Sequence, residues 1–239
     1  MPRLLSVILC LAFWALPAAA AETRSDMAFD VQIRGFNAGV LRMSTVRNAG
    51  SYAASARFDT AGIVGLFRPL RFDAGVEGRI RGATLAPLRY REDVQTHRRE
   101  GRREIAFDGG VPRVVLEEPA REAAPWHLDP ATQRGTIDPM TALVRVMAAT
   151  AAGAACRLDL TMFDGRRRSQ LVLGAPQAEG EGLACAGELR RIAGYSDSEM
   201  AEARSFPFRV VYAPDADGLL QVLQVEARTN YGMARLVRR

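Results

Sequence analysis

Met27-Ala28-Phe29-Asp30-Val31-Gln32-Ile33 places Phe29, Val31 and Ile33 two residues apart, with Asp30 and Gln32 between them. Alternation at period two sends successive side chains to opposite faces of a strand, so this stretch is a strand with one apolar face. The same rhythm continues outward. Gly35 and Asn37 mark a turn and Val40 to Val46 returns; Asn48-Ala49-Gly50 turns again before Tyr52 to Phe58. Phe72 to Ile80 carries Gly75 and Gly78, and glycine inside a strand marks a bulge or bend of the kind a curling sheet needs. Pro87 opens Leu88 to Val94, a charged hairpin turns about Gly101, and Ile105 to Phe107 leads through Asp108-Gly109-Gly110 into Val111 to Leu116. Further strands are predicted over Arg157 to Phe163, Arg166 to Leu173, Leu183 to Ile192, Phe206 to Tyr212, Leu220 to Ala227 and Met233 to Val237. Short strands joined by tight turns read as an antiparallel meander.

A few segments leave that rhythm. Thr60 to Phe67 is apolar and glycine-containing, which predicts a buried corner, with a lip touching lipid or ligand as the alternative. Glu118 to Asp138 holds Pro119, Pro125 and Pro130 around Trp126 and His127, and reads as a long irregular connection able to cover a cavity. Asp138-Pro139 is a helix start: Asp caps, and Pro suits the first turn. Leu143, Val144, Met147 and Ala148 give this helix an apolar face, and Gly153 is its expected end. A helix so poor in polar residues calls for burial. Tyr195 to Ser205 is polar and acidic, with room for a helical turn. The expected fold is mainly β: a single curled antiparallel sheet, open and barrel-like, wrapped around one short helix at about 138–152.

The N-terminus carries an address. Arg3, an apolar run from Leu4 to Leu16, Pro17 and four alanines before Glu22 have the order of a cleavable secretion signal. The run is shorter than the roughly 20 residues a membrane-spanning helix needs. Cys10 has no lipoprotein-type cut site before it. Residues 1–21 are therefore expected to be removed, leaving 22–239 as one β-rich domain in the periplasm. Only Cys156 and Cys185 then remain, and paired cysteines in an oxidising compartment predict a disulfide. Their long spacing, with no CxxC, argues against a redox or metal pair.

All 32 basic residues are arginine, and they are interspersed among 27 acids for a net charge of +5. That is no nucleic-acid footprint. The chain's histidines are His97 and His127, and no G-x-S-x-G is present, so neither a nucleophile triad nor a histidine metal site is indicated. No cofactor is implied, and a carboxylate-pair hydrolase is the remaining enzymatic alternative. Asp164-Gly165-Arg166-Arg167-Arg168 is the densest charge feature. It reads as a solvated hairpin rim, or as an anion or partner contact through Arg166, Arg167 and Arg168. Trp126 and His127 are candidates for a cavity lid.

Several ordered motifs resemble the exported bacterial family known as domain of unknown function 3108. They are Phe29-x-Val31 with Gly35 and Gly39; Pro87-Leu88-Arg89-Tyr90; Asp138-Pro139-Met140-Thr141-Ala142-Leu143; Phe163-Asp164-Gly165-Arg166-Arg167; and Cys185 before Ile192-Ala193-Gly194-Tyr195. The resemblance implies a curled all-β periplasmic domain, similar in shape to outer-membrane lipoprotein carriers. It supplies no activity and no catalytic residues, and the chain lacks the lipid-anchor cysteine of lipoprotein receptors with that shape. The expected function is a non-enzymatic envelope protein that binds an apolar or amphipathic ligand, or an envelope lipid or protein partner, in its concave face. The alternative is a structural protein for envelope integrity with no ligand.

Overall fold

The computed structural model describes residues 22–62, 65, 69–96, 100–120, 122–229 and 232–239. The predicted secretion signal at 1–21, Cys10 and His97 lie outside the described residues, as does half of the predicted corner at 60–67. Thirteen strands form one antiparallel sheet. They are β1 (Thr23–Ile33), β2 (Phe36–Arg47), β3 (Ser51–Thr60), β4 (Leu70–Arg81), β5 (Thr84–Thr96), β6 (Glu100–Asp108), β7 (Val111–Glu118), β8 (Leu158–Phe163), β9 (Arg168–Glu179), β10 (Gly182–Ala193), β11 (Ser205–Pro214), β12 (Leu220–Thr229) and β13 (Gly232–Arg238). Their spatial order is β7-β6-β5-β4-β3-β2-β1-β13-β12-β11-β10-β9-β8. The first and last strands in sequence, β1 and β13, pair at the centre, and β7 and β8 are left as the two edges. Curling brings those edges together, so the sheet is a nearly closed barrel.

Turn chemistry sets the hairpins. Arg34 and Gly35 both take positive φ between β1 and β2, the two-residue turn whose twist matches that of the strands it joins. Register shifts leave an extra residue in β2, β5, β7, β9, β10 and β12, bulges that bend the sheet. At Gly78 of β4, opposite the β5 bulge, an added Cβ would meet both the Tyr52 ring and the Ala86 carbonyl. Glycine there lets Tyr52 lie flat against the wall, where it is only 2% exposed.

α1 (Pro139–Met147) closes one end of the barrel and buries Met140, Thr141, Ala142, Val144, Val146 and Met147. It packs on β3, β4, β5 and β8. Phe29, Tyr52, Tyr90, Ile105, Val210 and Val222 fill the interior beside it, each almost completely buried. A large apolar side chain so placed contributes roughly 1.5–3 kcal/mol. The helix is shorter than predicted. Ala148 already takes extended dihedrals, and Thr150 exchanges two backbone hydrogen bonds with Leu220 at the start of β12. That tertiary bridge claims the backbone which the alanine-rich sequence would have kept helical. A second helix, α2 (Asp197–Glu202), begins with a Ser196/Glu199 capping box inside the predicted polar segment.

Candidate functional site

Where β7 meets β8 no strand pairing joins the edges, and the polar chemistry of the barrel gathers at this seam. The 119–138 connection stitches it from outside. Ile137 pairs with β8 through Thr161 and Phe163, Gly135 donates to the Gly110 carbonyl, and Leu128 donates to the Arg166 carbonyl. From inside, the seam is closed by charge. Arg103 of β6 reaches Glu92 of β5 at 3.2 Å, Glu117 of β7 at 2.9 Å, and the Asp164 carbonyl at 2.8 Å. Arg166 binds the other Glu117 oxygen at 2.7 Å. These side chains are only 16–21% exposed, so the ion pairs are shielded from solvent. Burial opposes the charge on Glu117, but hydrogen bonds from Arg166 and Arg103 outweigh it and hold the carboxyl below its ordinary value. The Tyr90 hydroxyl donates to Glu92 at 2.7 Å, and burial and that carboxylate hold the phenol well above its usual value.

The arginine run therefore belongs to the seam rather than to a solvated rim. Arg166 is held by Glu117, and Arg167 pairs with Glu199 at 2.8 Å while its guanidinium lies 5.1 Å from the centre of the Tyr195 ring. Arg168 begins β9, where its buried Nε has no hydrogen-bond partner. The two lid candidates divide. His127 lines a polar cavity of about 270 Å³ with Glu92, Arg103, Glu117 and Arg166. Its Nδ1 accepts from the Ala124 amide, and desolvation, then Arg166 and Arg167, push the imidazole below its ordinary value. Trp126, beside it in the connection, stays 46% exposed. Cys156 and Cys185 form the disulfide, tying the loop before β8 to β10.

Asp138 does more than cap. It is fully buried; Oδ1 accepts from the Thr141 amide at 2.8 Å and Oδ2 from the Thr141 hydroxyl at 2.6 Å. That hydroxyl lies 2.7 Å from the Tyr52 hydroxyl across the barrel. Desolvation pushes the Asp138 carboxyl up to about 6. Among the described residues no group of three or more His, Cys, Asp or Glu side chains could hold a metal ion.

The barrel end away from α1 is different in kind. Leu41, Phe58, Phe72 and Val94 pair across β2, β3, β4 and β5, in phase with the buried Met43, Ala56 and Ala74. They are inward-facing yet only half-buried, as are Phe208, Val225 and Leu236 on the opposite strands. A separate groove of about 820 Å³ crosses β1 to β7. Its charged residues pair with one another, as Arg57 does with Asp73, and Arg102 with Asp93.

Comparison with known proteins gives this architecture a family. The model described as protein of unknown function (DUF3108) matches residues 28–193. The chain belongs to that family. None of the curated proteins matches it. Among solved structures it is similar to a beta-barrel-like protein of domain of unknown function DUF1849 from Brucella abortus, with 14% identity and a TM-score of 0.52 over 93% of this chain and 98% of that one. At that identity the likeness is one of fold. The DUF3108 match takes in β2 to β10, α1, the seam and both cysteines of the disulfide. No helix among the described residues is long and apolar enough to cross a membrane.

Proposed function

We propose that this DUF3108 protein is an exported, non-enzymatic protein of the periplasm that binds an amphipathic ligand at the open end of its barrel. One observation carries the reading: the inward row Leu41, Phe58, Phe72 and Val94 is only partly buried, whereas Met43, Ala56 and Ala74 in the row nearer α1 are buried. Apolar side chains turned inward and left partly uncovered suit a ligand's apolar portion. The charged seam alongside suits a polar head. The carboxylates there, Glu92 and Glu117, are held by arginines, which makes them walls rather than a hydrolytic pair.

Cell fractionation with N-terminal sequencing tests the address: a new terminus near Glu22 in the periplasmic fraction is expected, and a cytoplasmic chain still starting at Met1 refutes it. Native mass spectrometry of gently purified protein tests the binding. The expected result is a co-purifying lipid that is lost in Phe72→Arg, a variant that puts charge on the inward row. Protein free of lipid, with Phe72→Arg leaving envelope integrity unchanged, refutes it. The second reading, a structural envelope protein without ligand, rests on the filled interior around α1. It predicts detergent sensitivity on deletion that Phe72→Arg fully rescues.

A further inference from the structure

The helix-capped end holds a second cavity, of about 390 Å³, bounded by β2, α1, the 148–157 loop and Tyr212. Arg47, Arg145 and Arg157 line it, and no Asp or Glu does. We infer that this cavity is a binding site for a phosphoryl group carrying a short apolar appendage.

Each arginine arrives by a different route. Arg47 ends β2 opposite Tyr52, so it shares the inward face with that ring. Arg145 lies in the last turn of α1, where the helix dipole attracts a cation, and one of its N–H groups donates to the Ala83 carbonyl. Arg157 follows Cys156, whose disulfide to Cys185 anchors the loop that carries it. The helix terminus explains Arg145 but gives no reason for the half-buried Arg47; Arg157 stands exposed at the rim, and neither makes an ion pair among the described residues. The contrast with the seam is direct for Arg47: Arg103 and Arg166, half-buried as it is, are each met by a carboxylate.

At a partly desolvated site with no counter-charge the Arg47 and Arg145 guanidiniums repel one another. Desolvation first, and then the Arg145 charge, hold Arg47 below its ordinary value. An oxyanion with several acceptor oxygens would reverse the sign of that interaction, and arginine's planar fork fits phosphate in bidentate fashion. The rest of the wall is Ala148, Ala155, Leu158 and their neighbours, with the Tyr212 hydroxyl already given to the Val146 carbonyl. An apolar wall beside a cationic one selects a phosphoryl group with a small apolar attachment, and the volume lies within the usual range for a small-molecule site. The site lies at the end opposite the partly buried apolar row, and its existence does not depend on what occupies that end.

Calorimetric titration of the full-length chain, at constant ionic strength in chloride, tests the site with inorganic phosphate, dihexanoyl phosphatidic acid and dihexanoyl phosphatidylcholine. The expected result is saturable binding of phosphatidic acid, or of it and phosphate, weakened about tenfold or more by Arg47→Met or Arg145→Met. Binding of both identifies a free phosphate or phosphomonoester as sufficient; binding of phosphatidic acid alone identifies a lipid headgroup with its tail. In phosphate-free buffer Arg47→Met should melt no lower than the parent, because it relieves the repulsion with Arg145 and gives up no ion pair. Should Arg47→Met not fold, Arg157→Met provides the same comparison from the exposed side. Heat from neither phosphate nor phosphatidic acid, equal binding of phosphatidylcholine, or full affinity in the variants overturns the inference.

Discussion

Replacing Asp138 with asparagine removes a buried charge while keeping a helix cap. The asparagine carbonyl can accept the Thr141 amide hydrogen bond that Oδ1 takes now, and its amide can donate to the Thr141 hydroxyl. Asn and Asp cap helices about equally well. What changes is the charge. Burial pushes the Asp138 carboxyl from 3.8 up to about 6, so the native state holds its proton more tightly than the unfolded chain does. For a carboxyl raised on folding, the protonated form is favoured in the native state. Its penalty is absent below the unfolded value near 3.8, grows as pH rises, and is complete above about 6. A shift of about two units corresponds to about 3 kcal/mol at neutral pH, an order-of-magnitude figure for a fully buried group. Urea denaturation of parent and Asp138→Asn at a series of pH values isolates this effect, since the other titrating groups cancel in the difference. The two proteins should be nearly equal near pH 4, with Asp138→Asn the more stable by about 1–3 kcal/mol at pH 7.5. A difference that does not change with pH, or a variant clearly less stable at pH 7.5, would refute the reasoning and show the ionised cap to be worth more than its desolvation.

Other perturbations have equally definite outcomes. A double-mutant cycle on Glu117→Ala and Arg166→Ala should give a coupling of about 1–3 kcal/mol by denaturant unfolding, because the pair is largely shielded from solvent. The Glu117 contribution has the opposite pH sign from Asp138: its carboxyl is depressed on folding, so the stabilisation is present above the ordinary carboxylate value and is lost as pH falls through the folded one. Reducing the Cys156–Cys185 disulfide, which spans 29 residues, should cost about 3–4 kcal/mol, read as a lower urea midpoint in dithiothreitol that Cys156→Ser with Cys185→Ser reproduces. Gly78→Ala should lower stability by about 1–3 kcal/mol, measured by thermal melting, since the new methyl group is forced against the Tyr52 ring and the Ala86 carbonyl.

The strands were legible because alternation is a local property: Phe29, Val31 and Ile33 reveal the strand and its buried face without reference to any partner. The same holds for the N-cap at Asp138, where the carboxylate serves an amide only three residues away. Glu117 shows where such reading stops. In an unbroken strand Val114 and Leu116 would share the inner face and Glu117 would point outward. The bulge between the Val114 and Leu116 pairings advances the phase by one residue and turns Glu117 inward, onto Arg103 and Arg166. Arg166 to Arg168 likewise read as a solvated turn because the carboxylates that hold Arg166 and Arg167, Glu117 and Glu199, are distant in sequence.

The amino-acid sequence by itself therefore determined the fold class, the place of the principal helix and which cysteines were available to pair. Each of these rests on residue periodicity, capping or composition, which act over a few residues or over the chain as a whole. Tertiary structure alone decided the strand order with β1 and β13 at its centre, the early end of α1 at Met147 and the ionic closure between β7 and β8. It also decided the meeting of Arg47, Arg145 and Arg157 in one cavity. All of these depend on the curl of a sheet that brings distant residues within a few ångströms, and curl accumulates from bulges and twist over thirteen strands rather than being carried by any one of them.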